Sequence, residues 1–381
     1  MAAVDELALM LRPAGGGIFT VSSGRGDQQE LQRRLYGGAI DPGDVAARWR
    51  DDLDRLATAR VAILAIPSDT GAGLIRGAAY GPAALRTAVL DLHPEFPTLA
   101  RRAGVVDVGD VFVVPQLLHD DMLSDAQLGA TRAALYPPGG PAGALAPERL
   151  ARLPVSPLSI AAEAVSLMLT VNPGLRIFAL GGDHSVAWPV VSALAAHRKR
   201  PFAIVHPDAH TDLLPERLGV KYCFATWAYH ANELIGRGGR LVQIGVRASR
   251  HPRAYWESTL GVRQFWARDV AARGEAAVID EVIAHLRAIG VDDVYLSNDI
   301  DGTDAAAAPA TGAPEGGGLS VRFVRALIAR LGREMSLIGA DLVEVAPPIG
   351  APEESRRTVD VGARYVLDSL AALTGTNDFV M

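Results

Sequence analysis

A single cysteine, Cys223, stands in 381 residues, which excludes an internal disulfide framework and a thiolate-rich zinc site. A lone cysteine is ordinarily a packing residue. Apolar runs long enough to span a bilayer are missing, and so is a basic N-terminal segment followed by an apolar core and cleavage site. The expectation is a soluble, cytoplasmic chain with no membrane partner. Basic blocks with interleaved aromatics are also missing and the formal net charge is −6, so nothing supports a nucleic-acid partner. Internal repeats are absent as well. The length suits one large α/β domain or two smaller ones, with a sizeable core.

What is present is chemistry at the ends of apolar runs. His206 to Asp212 reads His-Pro-Asp-Ala-His-Thr-Asp, directly after the apolar stretch Pro201 to Val205. Asp208, His210 and Asp212 fall at every second position, so in extended chain they share one face. Alone, this pattern also fits a solvated loop. Two further apolar runs argue against that: Arg176 to Leu180 leads into Gly181, Gly182, Asp183, His184 and Ser185, and Val294 to Leu296 into Ser297, Asn298, Asp299, Ile300 and Asp301, with Asp304 beyond. Ligands in open α/β sheets bind where the strands end.

The rest of the chain supplies the scaffold. Residues 1–58 read as an N-terminal extension without chemistry, with breakers at Gly15 to Gly17 and Gly37 to Asp44 and a helix candidate at Val45 to Leu56. From residue 59 onward, strands are expected at Arg60 to Ile66, Val105 to Val108, Leu241 to Val246, Arg263 to Trp266 and Leu337 to Val345, besides the three above. Helices are expected at Ile160 to Val171, at Ala277 to Ile289 and after a Ser320 cap, and the Pro-, Gly- and Ala-rich segment Pro115 to Pro157 reads as an excursion around one helix. The glycine-rich loop Gly71 to Gly77 matches neither the dinucleotide fingerprint nor the P-loop. Alternating helices and apolar strands predict one α/β domain: a mainly parallel sheet covered by helices on both faces.

Charge narrows the chemistry. Asp208, Asp212, Asp299 and Asp301 would crowd four carboxylates into one crevice, which two divalent cations would neutralise and one would not. Oxygen-rich ligation with imidazoles suits Mn²⁺, and imidazole also suits Ni²⁺ and Zn²⁺. Paired metals activate water at neutral pH, which implies hydrolysis. Glu344, at the end of the last strand, is a spare carboxylate suited to a planar guanidinium.

Gly-Gly-Asp-His-Ser at 181–185, Asp-Ala-His-Thr-Asp at 208–212, Ser-x-Asp-x-Asp-x-x-Asp at 297–304 and the Glu344 strand together resemble the ureohydrolase family, the arginase and agmatinase group. Asp107-Val-Gly-Asp110 and the segment from Arg76-Gly77 to Gly81-Pro82 add to the likeness. The resemblance implies hydrolysis of a guanidino group to urea and an amine by a homo-oligomer, a trimer or hexamer. It implies one metal on His184, Asp208, Asp212 and Asp299 and another on His210, Asp208, Asp299 and Asp301. Asp208 and Asp299 would bridge, Asp212 would also orient the attacking hydroxide, and Glu344 would bind the guanidinium.

The family's proton-shuttling histidine has no match in Tyr222 to Trp227, which leaves His230, Cys223 or water as its substitute. Ala310 stands where relatives often have glycine. Leu213 to Leu218 offers no polar match for an amino-acid head group, so guanidine or an agmatine-like compound is favoured over arginine. Two alternatives stand beside this reading. One is a catalytically silent, metal-binding relative acting as a structural or regulatory subunit. The other is a zinc deacetylase, which needs one metal.

Overall fold

Continuous apolar runs, rather than alternating ones, mark strands buried on both faces, and all six residues of Val61–Ile66 are buried. The computed structural model describes residues 2–18, 22–38, 41–137 and 139–379. Ala39 and Ile40 of the expected break, and Pro138 of the Pro-rich excursion, lie outside them. Nine strands are described: β1 (Leu11–Arg12), β2 (Val61–Ile66), β3 (Val105–Val111), β4 (Arg176–Gly181), β5 (Phe202–Pro207), β6 (Leu241–Ile244), β7 (Arg263–Phe265), β8 (Asp293–Asp299) and β9 (Ser336–Val343). They form one sheet in the order β1-β3-β2-β4-β9-β8-β5-β6-β7. Only the β1–β3 pairing is antiparallel.

Side-chain alternation divides β2 between two cores. Ala62, Leu64 and Ile66 face the helices Pro157–Val171 and Ala187–His197. Val61, Ile63 and Ala65 join the opposite layer, built from Glu275–Ala288, Val321–Glu334 and Pro352–Thr374. Each fully buried aliphatic side chain contributes roughly 1.5–3 kcal/mol, so the two layers fix the sheet between them. Ser320 caps its helix as expected, its hydroxyl accepting from Phe323 N at 2.9 Å. Among the described residues, no helix is long and apolar enough to cross a membrane.

Strand ends depart from the sequence expectation by up to three residues; β8 runs on to Asp299 and β6 stops at Ile244. β3 runs on through Gly109 and Asp110 to Val111, because a register shift against β2 and a positive φ of 88° at Gly109 let the strand continue and pair with β1. β9 stops at Val343, so Glu344 follows the strand rather than lying within it. The first 58 residues also contain helices Ala3–Met10 and Ser22–Leu35, which the sequence reading did not include, and the helix expected at Val45 to Leu56 spans Pro42–Asp54. Trp49 Nε1 donates to Val108 O at 2.9 Å, and Tyr36 Oη accepts from Ala14 N at 2.9 Å. Asp107 and Asp110 both bind buried Arg86, and Asp110 also accepts from Gly17 N at 3.1 Å.

Candidate metal centre

Four neighbouring strands, β4, β9, β8 and β5, converge on one crevice at their C-terminal ends. At or just beyond these ends come His184, Glu344, Asp299 to Asp301, and Asp208 to Asp212, respectively. Two of the turns use the same device: Asp183 Oδ1 accepts from Ser185 N, and Asp299 Oδ1 from Asp301 N, each at 2.8 Å. Gly302 permits the close approach of these loops, since a Cβ there would lie 2.7 Å from Asp208 N.

His184 Nδ1 is the pivot of the cluster. It lies 2.9 Å from Asp299 Oδ2 and 3.4 Å from both Asp208 Oδ2 and Asp212 Oδ2, yet it is buried without a hydrogen-bond partner. Its other nitrogen, Nε2, is 3.0 Å from Ser297 Oγ, whose hydroxyl donates to Asp341. Ser297 therefore accepts from Nε2–H, and Nδ1 faces three carboxylates, a place that either a proton or a cation must fill. A cation satisfies that arrangement. On the other side of Asp208, His210 Nδ1 lies 3.5 Å from its Oδ1 and 3.0 Å from Asp301 Oδ2. The ligand atoms of His184, His206, Asp208 and Asp212 fall within 4.8 Å of one another, as do those of Asp208, His210 and Asp301, so Asp208 belongs to both groups.

The electrostatics carry the same signature. Burial first, then neighbouring carboxylates, push the Asp212 and Asp299 carboxyls well above the ordinary range. Burial opposes charge on His184, but the Asp208 and Asp299 carboxylates facing Nδ1 outweigh it and raise the ring well above its usual value. His210 is pushed up to about 12, because Asp208 and Asp301 overcome burial in the same way. For Asp208, burial is outweighed by His206 and by the imidazole hydrogen bonds, which hold it well below the carboxylate range. So much buried acid calls for positive charge.

Asp212 and Glu344 are two of four non-glycine residues with positive φ among the described residues, at 52° and 62°. Such backbone costs of order 1–3 kcal/mol and persists where surrounding contacts impose it. For Glu344 these contacts are its N–H to Gly182 O at 2.8 Å and its Oε1 accepting from His184 N at 3.0 Å. Oε2 stands beside Gly312, where a Cβ would come within 3.7 Å of it. The crevice, about 410 Å³, is lined by His210, Asp212, Asp299, Asp301 and Glu344 below and by Leu74, Ile75 and Phe224 above.

The six expected ligands and Glu344 are thus brought together; His230 is not. Its Nε2 lies 3.0 Å from both Pro215 O and Lys221 O, and its ring packs on Trp188, Tyr222 and Tyr229. There it braces the loop between those carbonyls and does not line the crevice. Burial raises the Cys223 thiol, which lines a neighbouring cavity. Asp304 caps a loop through Ala306 N and Gly318 N, each at 2.8 Å. Ala310 is buried in backbone contacts with Thr358 and Ala346.

Several supporting residues escaped the sequence reading. Trp227 Nε1 donates to Asp212 Oδ2 at 3.1 Å and its ring stacks on His184 at 4.5 Å. Arg247 Nη2 donates to Asp301 O at 2.7 Å and Glu315 O at 2.8 Å, securing the Asp301 loop. His206, Gln243, Ser297 and Asp341 lie under the ligands. The available signal was polarity out of place: Gln243 and Asp341 interrupt apolar strands that are otherwise fully buried.

Comparison with known proteins agrees with this geometry. The arginase family model matches residues 59–371. The chain is 32% identical over 291 residues to the N(1)-aminopropylagmatine ureohydrolase of Thermus thermophilus, covering 76% of this chain and 83% of that protein. It is 37% identical over 199 residues to an agmatinase of Proteus mirabilis, 52% of this chain and 60% of the relative. Among solved structures, a hypothetical agmatinase from Burkholderia thailandensis superposes with a TM-score of 0.63 at 26% identity, covering 84% of this chain and 87% of that one. The arginase of Bacillus subtilis shares the fold, with a TM-score of 0.59 at 21% identity over 81% of this chain and 98% of its own. This chain belongs to the arginase family, in the arginase and agmatinase group of metal-dependent ureohydrolases.

Proposed function

We propose that this protein is a two-metal hydrolase cleaving a small guanidino compound, free guanidine or an agmatine-like one rather than arginine, to urea and ammonia or an amine. The observation that carries the reading is Asp208, whose two oxygens face different imidazoles, His184 and His210. One cation would be held by His184, Asp208, Asp212 and Asp299, the other by His210, Asp208, Asp299 and Asp301. Mn²⁺ fits this oxygen-rich set, and Ni²⁺ is the serious alternative. Such a pair supplies activated water at neutral pH.

The chain's own residues do the rest. Glu344 Oε1 is tied to His184 N, which leaves Oε2 to accept an N–H from the guanidinium. Trp227 occupies Asp212 Oδ2, leaving Oδ1 to take a proton from the attacking water. Leu74, Ile75 and Phe224 line the mouth of the crevice. The water oxygen becomes the urea carbonyl, the C–N bond to the leaving group breaks, and both water protons, one of them by way of Asp212, pass to the departing nitrogen, which leaves as ammonium or an alkylammonium. His230 has no part in this.

Protein loaded separately with Mn²⁺ and Ni²⁺ and offered guanidine, agmatine, 4-guanidinobutyrate and arginine should release urea from at least one of the first three, and faster than from arginine. Urea from arginine alone would remove the substrate preference. No urea from any, in folded and metal-loaded protein, would leave the catalytically silent relative.

A further inference from the structure

We infer, resting on the two-metal hydrolase reading and replacing its agmatine-like substrate with an acid, that the substrate is an unbranched ω-guanidino carboxylate whose tail passes into an adjoining apolar cavity and ends on Arg76 and Arg217. A second cavity of about 410 Å³ sits beside the crevice, and Ala72, Gly73, Arg217 and Phe224 are walls of both. Its remaining surface is largely apolar, including Leu117, Leu118, Met122 and Leu123, and no carboxylate lines it. Arg76 and Arg217 bring positive charge to it. Among the described residues neither has a salt-bridge partner: Arg76 Nη2 donates to Thr70 O at 3.3 Å, and the Arg217 guanidinium lies 4.9 Å from the Phe224 ring centroid. Two guanidiniums lining one largely apolar cavity suit a carboxylate at the end of a methylene chain.

The charge therefore changes sign from one cavity to the other. Glu344 offers a negative charge at the reacting end, Arg217 a positive charge at the shared wall, and Arg76 a second positive charge in the adjoining cavity. A zwitterionic guanidino acid is complementary at both ends, whereas agmatine would set its ammonium against the arginines. Glu315, whose Oε1 lies 4.0 Å from His210 Nε2, lines neither cavity. Arginine's α-ammonium would likewise meet no acceptor carboxylate in the tail cavity. Leu74 and Leu218 are 99% and 98% exposed, one at each cavity, which provides apolar surface for the methylenes to cover.

The test compares kcat/KM for 4-guanidinobutyrate, 3-guanidinopropionate, agmatine and guanidine in the metal-loaded protein and in Arg217→Gln, Arg217→Lys, Arg217→Glu and Arg76→Gln. One guanidino acid should exceed agmatine by roughly tenfold or more. Arg217→Gln should raise the KM for that acid by roughly tenfold with kcat changed by less than about twofold, and Arg217→Lys should recover part of the loss. Arg217→Glu should shift the preference towards agmatine. Calorimetric binding of the acid supplies a second readout for any variant that folds but turns over slowly. Agmatine matching or exceeding both acids in the unsubstituted protein, or arginine variants that slow all substrates equally while still folded, would overturn the inference and leave the hydrolase reading intact. Absence of urea from every compound would overturn both.

Discussion

His206 Nε2 donates to Asp208 Oδ2 at 2.6 Å, while Nδ1 of the same ring accepts from Gln243 Nε2 at 3.1 Å. Gln243 Oε1 in turn accepts from Gln264 Nε2 at 2.8 Å, and Gln264 Oε1 from Trp266 Nε1 at 2.9 Å. An indole N–H can only donate, so it fixes the direction of the whole buried chain and the tautomer of His206. Burial lowers the His206 pKa, in keeping with a neutral ring. The chain holds Asp208 from behind. Gln243→Leu is therefore expected to weaken metal affinity roughly 10- to 100-fold and to cost about 1–3 kcal/mol by stranding buried partners. Metal titration by calorimetry, with circular dichroism as a fold control, checks it; unchanged affinity in a folded variant would deny His206 a positioning role.

In the proposed centre Asp299 would serve both cations. Asp299→Ala should reduce bound metal from about two per chain to well under one, and activity by roughly a thousandfold or more. Elemental analysis after gel filtration measures the first directly. Full metal content with full activity would exclude a bridging role.

The metal-free cluster has a defined pH signature. Asp212, Asp299, His184 and His210 all have folded-state pKa values above their ordinary ones. Stability from such groups is complete below the unfolded pKa and is lost as pH rises towards the folded one. Asp208 shifts the other way, but its contribution is lost only below the carboxylate range. Between about pH 5 and about pH 8 the metal-free protein should lose stability, and metal should restore it. The gain in Tm on adding Mn²⁺ should therefore be larger at about pH 8 than at about pH 5.5, by roughly 5 °C or more. A gain independent of pH would mean that metal does not replace protons at these groups.

Arg86 is buried between Asp107 and Asp110 on β3, which is not one of the four strands that carry the cluster. Arg86→Met leaves two buried carboxylates without their cation and should destabilise by about 3–5 kcal/mol. Metal affinity of the fraction still folded should be unchanged. A denaturant titration with a loss under about 1 kcal/mol would show that the pair is not held by Arg86.

The parts of this molecule legible in its sequence were those written in long apolar runs and in residue types with few structural uses. The strands β2, β4, β5 and β8 announced themselves by uninterrupted burial, and the His184, Asp208 and Asp299 motifs by following them directly. β1 is only two residues long and pairs through a bulge in β3, which no local pattern encodes. The polar helix Ser22–Leu35 has no strong apolar stripe to advertise it. Gln243 and Gln264 become a relay only when β6 and β7 pair in register, Gln243 beside Gln264. His230 shows the reverse error: chemical capacity alone suggested a role, while two backbone carbonyls already occupy the nitrogen.

The central claim is a two-metal hydrolase, and the most direct measurement is a metal titration of the apoprotein that follows bound equivalents and urea release together. With a responsive guanidino substrate, activity should stay low through the first equivalent and rise with the second, to a plateau at about two per chain. Activity complete at one equivalent would contradict the paired centre. Two equivalents bound with no urea from any guanidino compound would contradict the hydrolase itself.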